Sequence, residues 1–246
     1  MNSYNISNAQ DVVLTDLEYI CSGLEKELLL LSGKRVLIAG GAGFLGYYLV
    51  QTILHWNKKN NKPPIILVVY DNFIRGVPVW LKKLLNNNDN FKVEDFDITN
   101  QLPSEIEDFQ YIIHAATIAS PVYYRLNPIE TMNANIEGLQ NFLEYCLNQQ
   151  QKQNHVEGFL FFSTSEIYGD PTPNNIPTPE TYNGNVSCTG PRACYDESKR
   201  YGETLCVNYA KQYGLPVRIA RPFSNYGPGL KISDKRVHAD FVRNIL

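Results

Sequence analysis

Tyr195 and Lys199 stand in a Y-x-x-x-K spacing, and a Thr164-Ser165-Glu166 cluster precedes them. Four residues apart on a helix, a phenol and an ammonium share one face. A tyrosine ordinarily titrates near pH ~10, so it works as a base near neutrality only where a neighbouring positive charge stabilises the phenolate. Lys199 supplies such a charge, and Thr164, following the apolar run Phe159 to Phe162, can hydrogen-bond and align the same substrate hydroxyl. The chemistry that follows is alcohol oxidation, in which a base takes the hydroxyl proton while hydride leaves the adjacent carbon. In isolation the tyrosine and lysine would read as a chance surface pair; a hydride carrier has to be indicated elsewhere.

The run Gly40-Gly41-Ala42-Gly43-Phe44-Leu45-Gly46 indicates it. Gly40, Gly43 and Gly46 follow the apolar run Val36 to Ala39 and open the helical pattern Phe44 to Trp56. In that context the glycines permit a tight turn, a close backbone approach to a pyrophosphate and close packing of helix on strand, with phosphates at the helix N-terminus. Asp71 ends the next apolar run, where a carboxylate binds the ribose hydroxyls of NAD and repels the 2′-phosphate of NADP. Arg75 reads either as a partner for that phosphate or as a solvated loop charge.

The elements that must position these groups alternate between short β-rich runs and helical patterns. The strand candidates are Val36 to Ala39, Ile65 to Tyr70, Phe91 to Phe96, Tyr111 to His114, Phe159 to Phe162 and Val217 to Ala220. Such alternation predicts an α/β fold of βαβ units, a Rossmann-type doubly wound parallel sheet. Residues 1–33 carry apolar side chains at roughly helical spacing and are expected to form an amphipathic helical extension on the main domain. Residues 34–230 form the NAD-binding domain in this reading, and 231–246 begin a substrate lobe. Asn57 to Lys62 and Asn86 to Asn90 read as surface connections, and Asp170 to Pro191, crowded with Pro, Thr, Asn and Gly, as a long irregular loop.

At 246 residues, with 43% hydrophobic and 19% charged residues, the chain can bury a sizeable core. A net charge of −3 disfavours nucleic acid and anionic membrane as partners. The longest apolar runs are of strand length, short of the ~20 residues a bilayer span needs. The polar, acidic N-terminus lacks the pattern of a secretory signal and implies a cytoplasmic protein. Cys21, Cys146, Cys188, Cys194 and Cys206 include no C-x-x-C pair and have no histidine at metal-ligand spacing, so they read as reduced structural thiols and no metal site is expected.

Taken together, these residues resemble a family, the extended short-chain dehydrogenase/reductases that include the NAD-dependent nucleotide-sugar epimerases, dehydratases and decarboxylases. The resemblance runs from about Lys34 to Leu246 and is carried by GGAGFLG, Asp71-Asn72, Asp97-Ile98, His114-Ala115-Ala116, Asn135 in NANIEG, STSEIYGDP, YDESK and RPFSNYGP. It implies that Gly40, Gly43, Phe44, Leu45, Gly46, Asp71, Asn72, Asp97, Ile98, Ala115, Ala116 and Thr117 line the cofactor, with Asp97 and Ile98 beside the adenine. It further implies that Lys199 also holds the nicotinamide ribose and that Asn135 is a structural or proton-relay residue.

Within the family, Thr164-Ser165-Glu166, GPRACYDESKR, SPVYYRLNP and the ending KRVHADFVRNIL are most similar to the UDP-glucuronate decarboxylases. That likeness implies a lyase acting through a 4-keto sugar, with Tyr195 as base, Thr164 aligning the hydroxyl, and Ser165 and Glu166 around the carboxylate. Alternatives are a 4,6-dehydratase, against which Ser165 stands in place of Asp, a 4-epimerase, against which Glu166 stands, and a non-catalytic NAD-binding module. Where the family reads R-x-F-N-x-Y-G-P, this chain has Ser224 and Asn225, which would serve as polar substrate partners. Family members continue past the position of Leu246, so the substrate lobe reads as incomplete and an arginine near the substrate would lie beyond it. Arg192 reads equally as a contact to a substrate phosphate or carboxylate and as a loop salt bridge. Cys194 reads as a poor nucleophile, and His114 as a packed, hydrogen-bonded core residue. The helices at Ile129 to Leu147 and Tyr195 to Tyr213 imply, by resemblance, a homodimer through a four-helix interface.

Overall fold

A computed structural model describes residues 8–85, 88–103, 105–234 and 237–245 of the chain. Asn86 and Asn87 of one expected connection, and Lys235 and Arg236 of the KRVHADFVRNIL stretch, lie outside the described residues. Six strands, β1 (Arg35–Ala39), β2 (Ile66–Asp71), β3 (Phe91–Asp95), β4 (Tyr111–His114), β5 (Gly158–Phe162) and β6 (Val217–Ala220), form one parallel sheet in the order β3-β2-β1-β4-β5-β6. This is the doubly wound Rossmann arrangement expected from the sequence, and each predicted strand lies within a residue or so of an observed one.

The central strands are apolar throughout because both faces of the sheet are covered. Along β1, Leu37 and Ala39 enter a core shared with Ile112, Phe142 and Phe159, while Val36 and Ile38 enter a second core with Val50, Ile53 and Trp56. The first core lies under α6 (Pro128–Gln151) and α7 (Ala193–Tyr213), the second under α3 (Phe44–Lys59). Helix α3 continues to Lys59, so half of the connection expected from Asn57 is helical: the Asn57 side chain exchanges two hydrogen bonds with the Ile65 backbone, both at 2.8 Å, and ties the helix end to β2. The segment 170–191 has little regular structure, and a bridge between Gly169 and Asn185 pins its ends together.

Residues 1–7 of the expected N-terminal extension lie outside the described residues, and the rest forms two helices, α1 (Ala9–Gly23) and α2 (Glu25–Leu31). Asn8 caps α1 by accepting from the Gln10 and Asp11 amides, and Asp11 accepts from the Asn8 amide in return. Leu24, at φ −112°, breaks the run and turns α2 so that Leu28 reaches the second core. Across the junction the Tyr48 hydroxyl donates to Asp16 at 2.5 Å. The shorter helices α4 (Val79–Leu85), α5 (Pro121–Leu126) and α8 (Val237–Ile245) lie near the sheet's C-terminal end. Among the described residues, no helix is long and apolar enough to cross a membrane.

Candidate active site

At the carboxyl ends of the strands, around the switch point between β1 and β4, lies a cavity of about 930 Å³. Open parallel sheets form their ligand crevice at this place, because the chain leaves adjacent strands in opposite directions.

One wall is the glycine turn. A side chain on Gly40 (φ +82°) would put its Cβ 2.5 Å from the Ala116 backbone, so β1 and β4 deliver their turns in near contact. A Cβ on Gly46 would collide with the Gly41 carbonyl, which is how α3 starts so close beneath the turn. Phe44 and Leu45 in the first turn of α3, and Ala115 and Ala116 after β4, complete this wall.

Asp71 and Asp97 stand at the ends of β2 and β3. Asp71 accepts from the amides of Ala42 and Phe73, each at 3.0 Å. Burial pushes its carboxyl above the ordinary range, and these two amides oppose the shift. Asp97 is partly buried too, but bonds from Asn72 Nδ2 and from the Thr99 amide and hydroxyl prevail and hold its carboxyl below the ordinary range. Ile98 is buried beside it, and Thr117 Oγ1 is sealed from solvent on the same wall without a hydrogen-bond partner among the described residues. Glycines a side chain would fill, a carboxylate at the end of β2 and a sealed hydroxyl together fit a dinucleotide.

The opposite wall comes from β5 and α7. Thr164 leaves β5 and caps a 3₁₀ turn at Ser165–Tyr168, its Oγ1 accepting from the Glu166 amide at 3.3 Å. Ser165 and Glu166 therefore face the same cavity as Tyr195, which is buried and stacked on Tyr124 with ring centroids 5.2 Å apart and planes 8° from parallel. Lys199 lies behind the cavity, fully buried, with Nζ donating to the Phe162 carbonyl at 2.6 Å and 4.7 Å above the Phe161 ring. Burial lowers its ammonium to about 7, close to the proton exchange it would support. Asn135 on α6 donates to Ser198 Oγ at 2.9 Å, bracing the helix turn that carries Tyr195 and Lys199.

Every residue named from the sequence as a catalytic, cofactor or substrate candidate lines this cavity except Lys199, just behind it, and Asn135, which braces α7 from α6. Ser224 and Asn225 stand at its exposed rim, the Asn225 amide turned onto the Phe223 carbonyl at 2.8 Å. Arg192 pairs with Glu166 and lies 3.4 Å from Asp196, so it is an ion pair and a cavity residue at once.

Three expectations change. Arg75 is neither a solvated charge nor an open phosphate partner: it pairs with buried Asp234 at 2.9 Å and covers the Tyr123 ring at 4.9 Å. Asp234 lies far along the chain, so no local signal foretold the pair. His114 is buried between Phe142 and Phe161, but neither ring nitrogen has a hydrogen-bond partner among the described residues. Burial, then the nearby Lys199 charge, lowers its imidazole to about 3, so it is neutral at pH 7. Tyr124 was missed as a site residue; its one signal was its place in SPVYYRLNP beside other resembling stretches. Cys194 behaves as expected, its thiol pushed up by burial and donating to the Tyr124 carbonyl at 3.5 Å.

The model of the NAD dependent epimerase/dehydratase family matches residues 36–246. The chain belongs to this family. It is 40% identical over 215 residues to UDP-glucuronic acid decarboxylase 5 of Arabidopsis thaliana, covering 87% of this chain and 58% of the relative. It is likewise 40% identical over 212 residues to decarboxylase 3 of the same plant, covering 86% and 57%. Among solved structures it resembles the UDP-glucuronic acid 4-epimerase of Bacillus cereus in complex with NAD, at a TM-score of 0.62 and 28% identity, covering 80% of this chain and 59% of that one. The chain thus spans less than two thirds of the length of these family members.

Proposed function

We propose that this chain binds NAD and removes the carboxyl group of UDP-glucuronate through a 4-keto intermediate, yielding a UDP-pentose. The observation that carries the reading is the meeting of Thr164, Glu166 and Tyr195 on one cavity wall, with the Lys199 ammonium directly behind. Two carboxylate-removing relatives at 40% identity favour decarboxylation over epimerisation, the activity named for the more distant structural neighbour.

Gly40, Gly43 and Gly46 would admit the pyrophosphate, Asp71 would hold the adenosine ribose, and Thr117 would meet the cofactor with its unpaired hydroxyl. A bound NAD would supply the hydride acceptor for sugar carbon 4. Tyr195 takes the proton of the 4-hydroxyl, which Thr164 aligns, and the buried Lys199 charge stabilises the phenolate. The 4-ketone then lies β to the carboxylate, so the carbon–carbon bond to the carboxylate breaks with its electron pair passing into an enolate and carbon dioxide leaving. Protonation of the enolate at carbon 5 follows, and the overall reaction, loss of carbon dioxide, has no net redox change. Ser165 and Glu166 stand where the carboxylate would lie.

The exposed apolar side chains Ile129 and Met132 of α6 and Tyr201 and Val207 of α7 support pairing of two copies through these helices. Free thiols at all five cysteines support a reducing compartment such as the cytoplasm.

The test is incubation of the chain with NAD⁺ and UDP-glucuronate, following carbon dioxide and the sugar product by mass spectrometry. Carbon dioxide released by the native chain and absent with Tyr195→Phe supports the proposal. NAD binding without carbon dioxide, or a six-carbon epimer as product, sinks it.

A further inference from the structure

Tyr195, Lys199 and Glu203 follow one another at four-residue steps along α7 and so form one stripe on the helix. The last two grip the end of β5. Lys199 Nζ donates to the Phe162 carbonyl at 2.6 Å, and Glu203 Oε1 accepts from the Ser163 hydroxyl, also at 2.6 Å. Ser163 is 3% exposed, lines the main cavity and directly precedes Thr164. Glu203 is itself held by Arg221, the residue after β6, whose Nε and Nη2 donate to its two carboxylate oxygens at 2.8 and 2.7 Å. Nη1 of the same guanidinium donates to the Tyr168 hydroxyl at 2.9 Å and to the Glu180 carbonyl at 2.8 Å. A bidentate fork fixes a carboxylate in position and orientation together, so Glu203 cannot swing away from β5.

The surroundings of Lys199 single out the same residue. On its own helix it lies among Tyr195, Glu203 and Cys206, and on β4 His114 feels its charge. Burial pushes the Cys206 thiol up to about 12 and lowers the His114 imidazole to about 3, so both are neutral at pH 7. Glu203, paired with Arg221 on its far side, is the anion of this group. Its charge opposes the burial that lowers the Lys199 ammonium.

We propose that Glu203 is a positioning residue for proton transfer: clamped by Arg221, it holds Ser163, and with it the neighbouring Thr164, against α7 and supplies the counter-charge of the Lys199 ammonium beneath Tyr195. The inference rests on the reading of Tyr195 and Lys199 as the proton-transfer pair. One carboxylate thereby ties the group that aligns the substrate hydroxyl to the helix that carries the base, and a displacement of about 1 Å between such groups costs about 10²-fold in rate.

The experiment reads the Lys199 titration directly, by NMR of the NAD-loaded chain carrying ¹³C-labelled lysine and without sugar, the resonance being assigned by its loss in Lys199→Met. Glu203→Gln is expected to lower the midpoint by about one pH unit, and Ser163→Ala, which keeps the carboxylate, to leave it in place. In the decarboxylation assay Glu203→Gln should lower kcat by about 10²-fold and Ser163→Ala by about tenfold, with KM for UDP-glucuronate and NAD affinity moving less than about twofold. Should Glu203→Gln strand Arg221 and fail to fold, the double variant Glu203→Gln/Arg221→Met removes both charges and carries the same expectation. An unmoved midpoint in the folded Glu203 variant, a native kcat in Ser163→Ala, or losses that fall on KM instead of kcat overturn the proposal. Decarboxylation fails separately: a lowered midpoint with no carbon dioxide formed by the native chain leaves the counter-charge standing and removes that reaction.

Discussion

Asp71 and Asp97 on one side of the cavity, and Glu166 with its neighbour Asp196 at the start of α7 on the other, are all carboxylates near strand or helix ends, yet they are held differently. The first pair is fixed by its own neighbourhood: backbone amides of Ala42 and Phe73 for Asp71, Asn72 and Thr99 for Asp97. The second pair shares one guanidinium, Arg192, and leaves Asp196 Oδ1 buried without a hydrogen bond. Behind it sits a fully buried lysine whose ammonium is pulled down to about 7. The wall carrying the glycine turn is therefore held by its own neighbours, whereas the opposite wall gathers its charge around one guanidinium and one buried lysine. Strain of this kind gathers at sites where function needs it.

The largest expected effect separates the walls outright. Tyr195→Phe removes the proposed proton acceptor and should lower kcat by about 10³-fold, while NAD affinity stays unchanged. Equal losses of both would mean the walls are one unit.

Next comes the cost of burying Lys199. Its ammonium is lowered by burial to about 7 in the folded chain and returns to its ordinary value near ~10.4 on unfolding. Between those values the unfolded state binds the extra proton, so this contribution to stability rises with pH across that window and is most unfavourable below pH 7. Lys199→Met should abolish the proposed decarboxylation and flatten this slope relative to the native chain in thermal unfolding from pH 7 to 10. The gain at pH 7 should be on the order of a few kcal/mol, reduced by the Phe162 carbonyl it leaves unpaired. Parallel slopes would show that the lysine is better solvated than its burial implies.

Gly40→Ala tests the rigidity of the other wall. Its φ of +82° and the Cβ clash with Ala116 should weaken NAD binding by about tenfold or more and lower Tm by several degrees. Gly214→Ala is the comparison, since Gly214 has a φ of +70° in the α7 C-cap but nothing within 4 Å of its Cβ. It should cost about 1 kcal/mol of stability and leave NAD affinity alone.

The smallest effect is expected from Asp71→Asn. The amide keeps an oxygen for one of the two backbone donors but loses the charge, so NAD affinity should fall about tenfold and discrimination against NADP should narrow, both read by competition titration. An unchanged NAD-to-NADP ratio would mean the Arg75–Asp234 pair, not Asp71, governs the choice.

The strands were legible because a sheet covered on both faces demands unbroken apolar runs, and those of β1, β4 and β5 matched closely. Helix ends were less so: α3 runs on through Lys59 because Asn57 ties it to Ile65, a contact no local propensity encodes. The N-terminal extension was legible as helical but not as broken at Leu24, because the break serves the burial of Leu28. Expecting His114 to be hydrogen-bonded failed because its neighbours, Phe142 and Phe161, come from a helix and a strand remote in sequence.

The sequence by itself determined the α/β architecture, the glycine turn and the residue types that do chemistry, since periodicity, backbone freedom and acid–base character are local properties of the chain. Only the tertiary structure decided how those groups are charged and partnered. It buried Lys199, stacked Tyr124 on Tyr195, drew Arg192 between Glu166 and Asp196, and matched Arg75 with Asp234. Burial and pairing are set by residues that meet across the sheet, and most of those meetings join segments with no shared local signal.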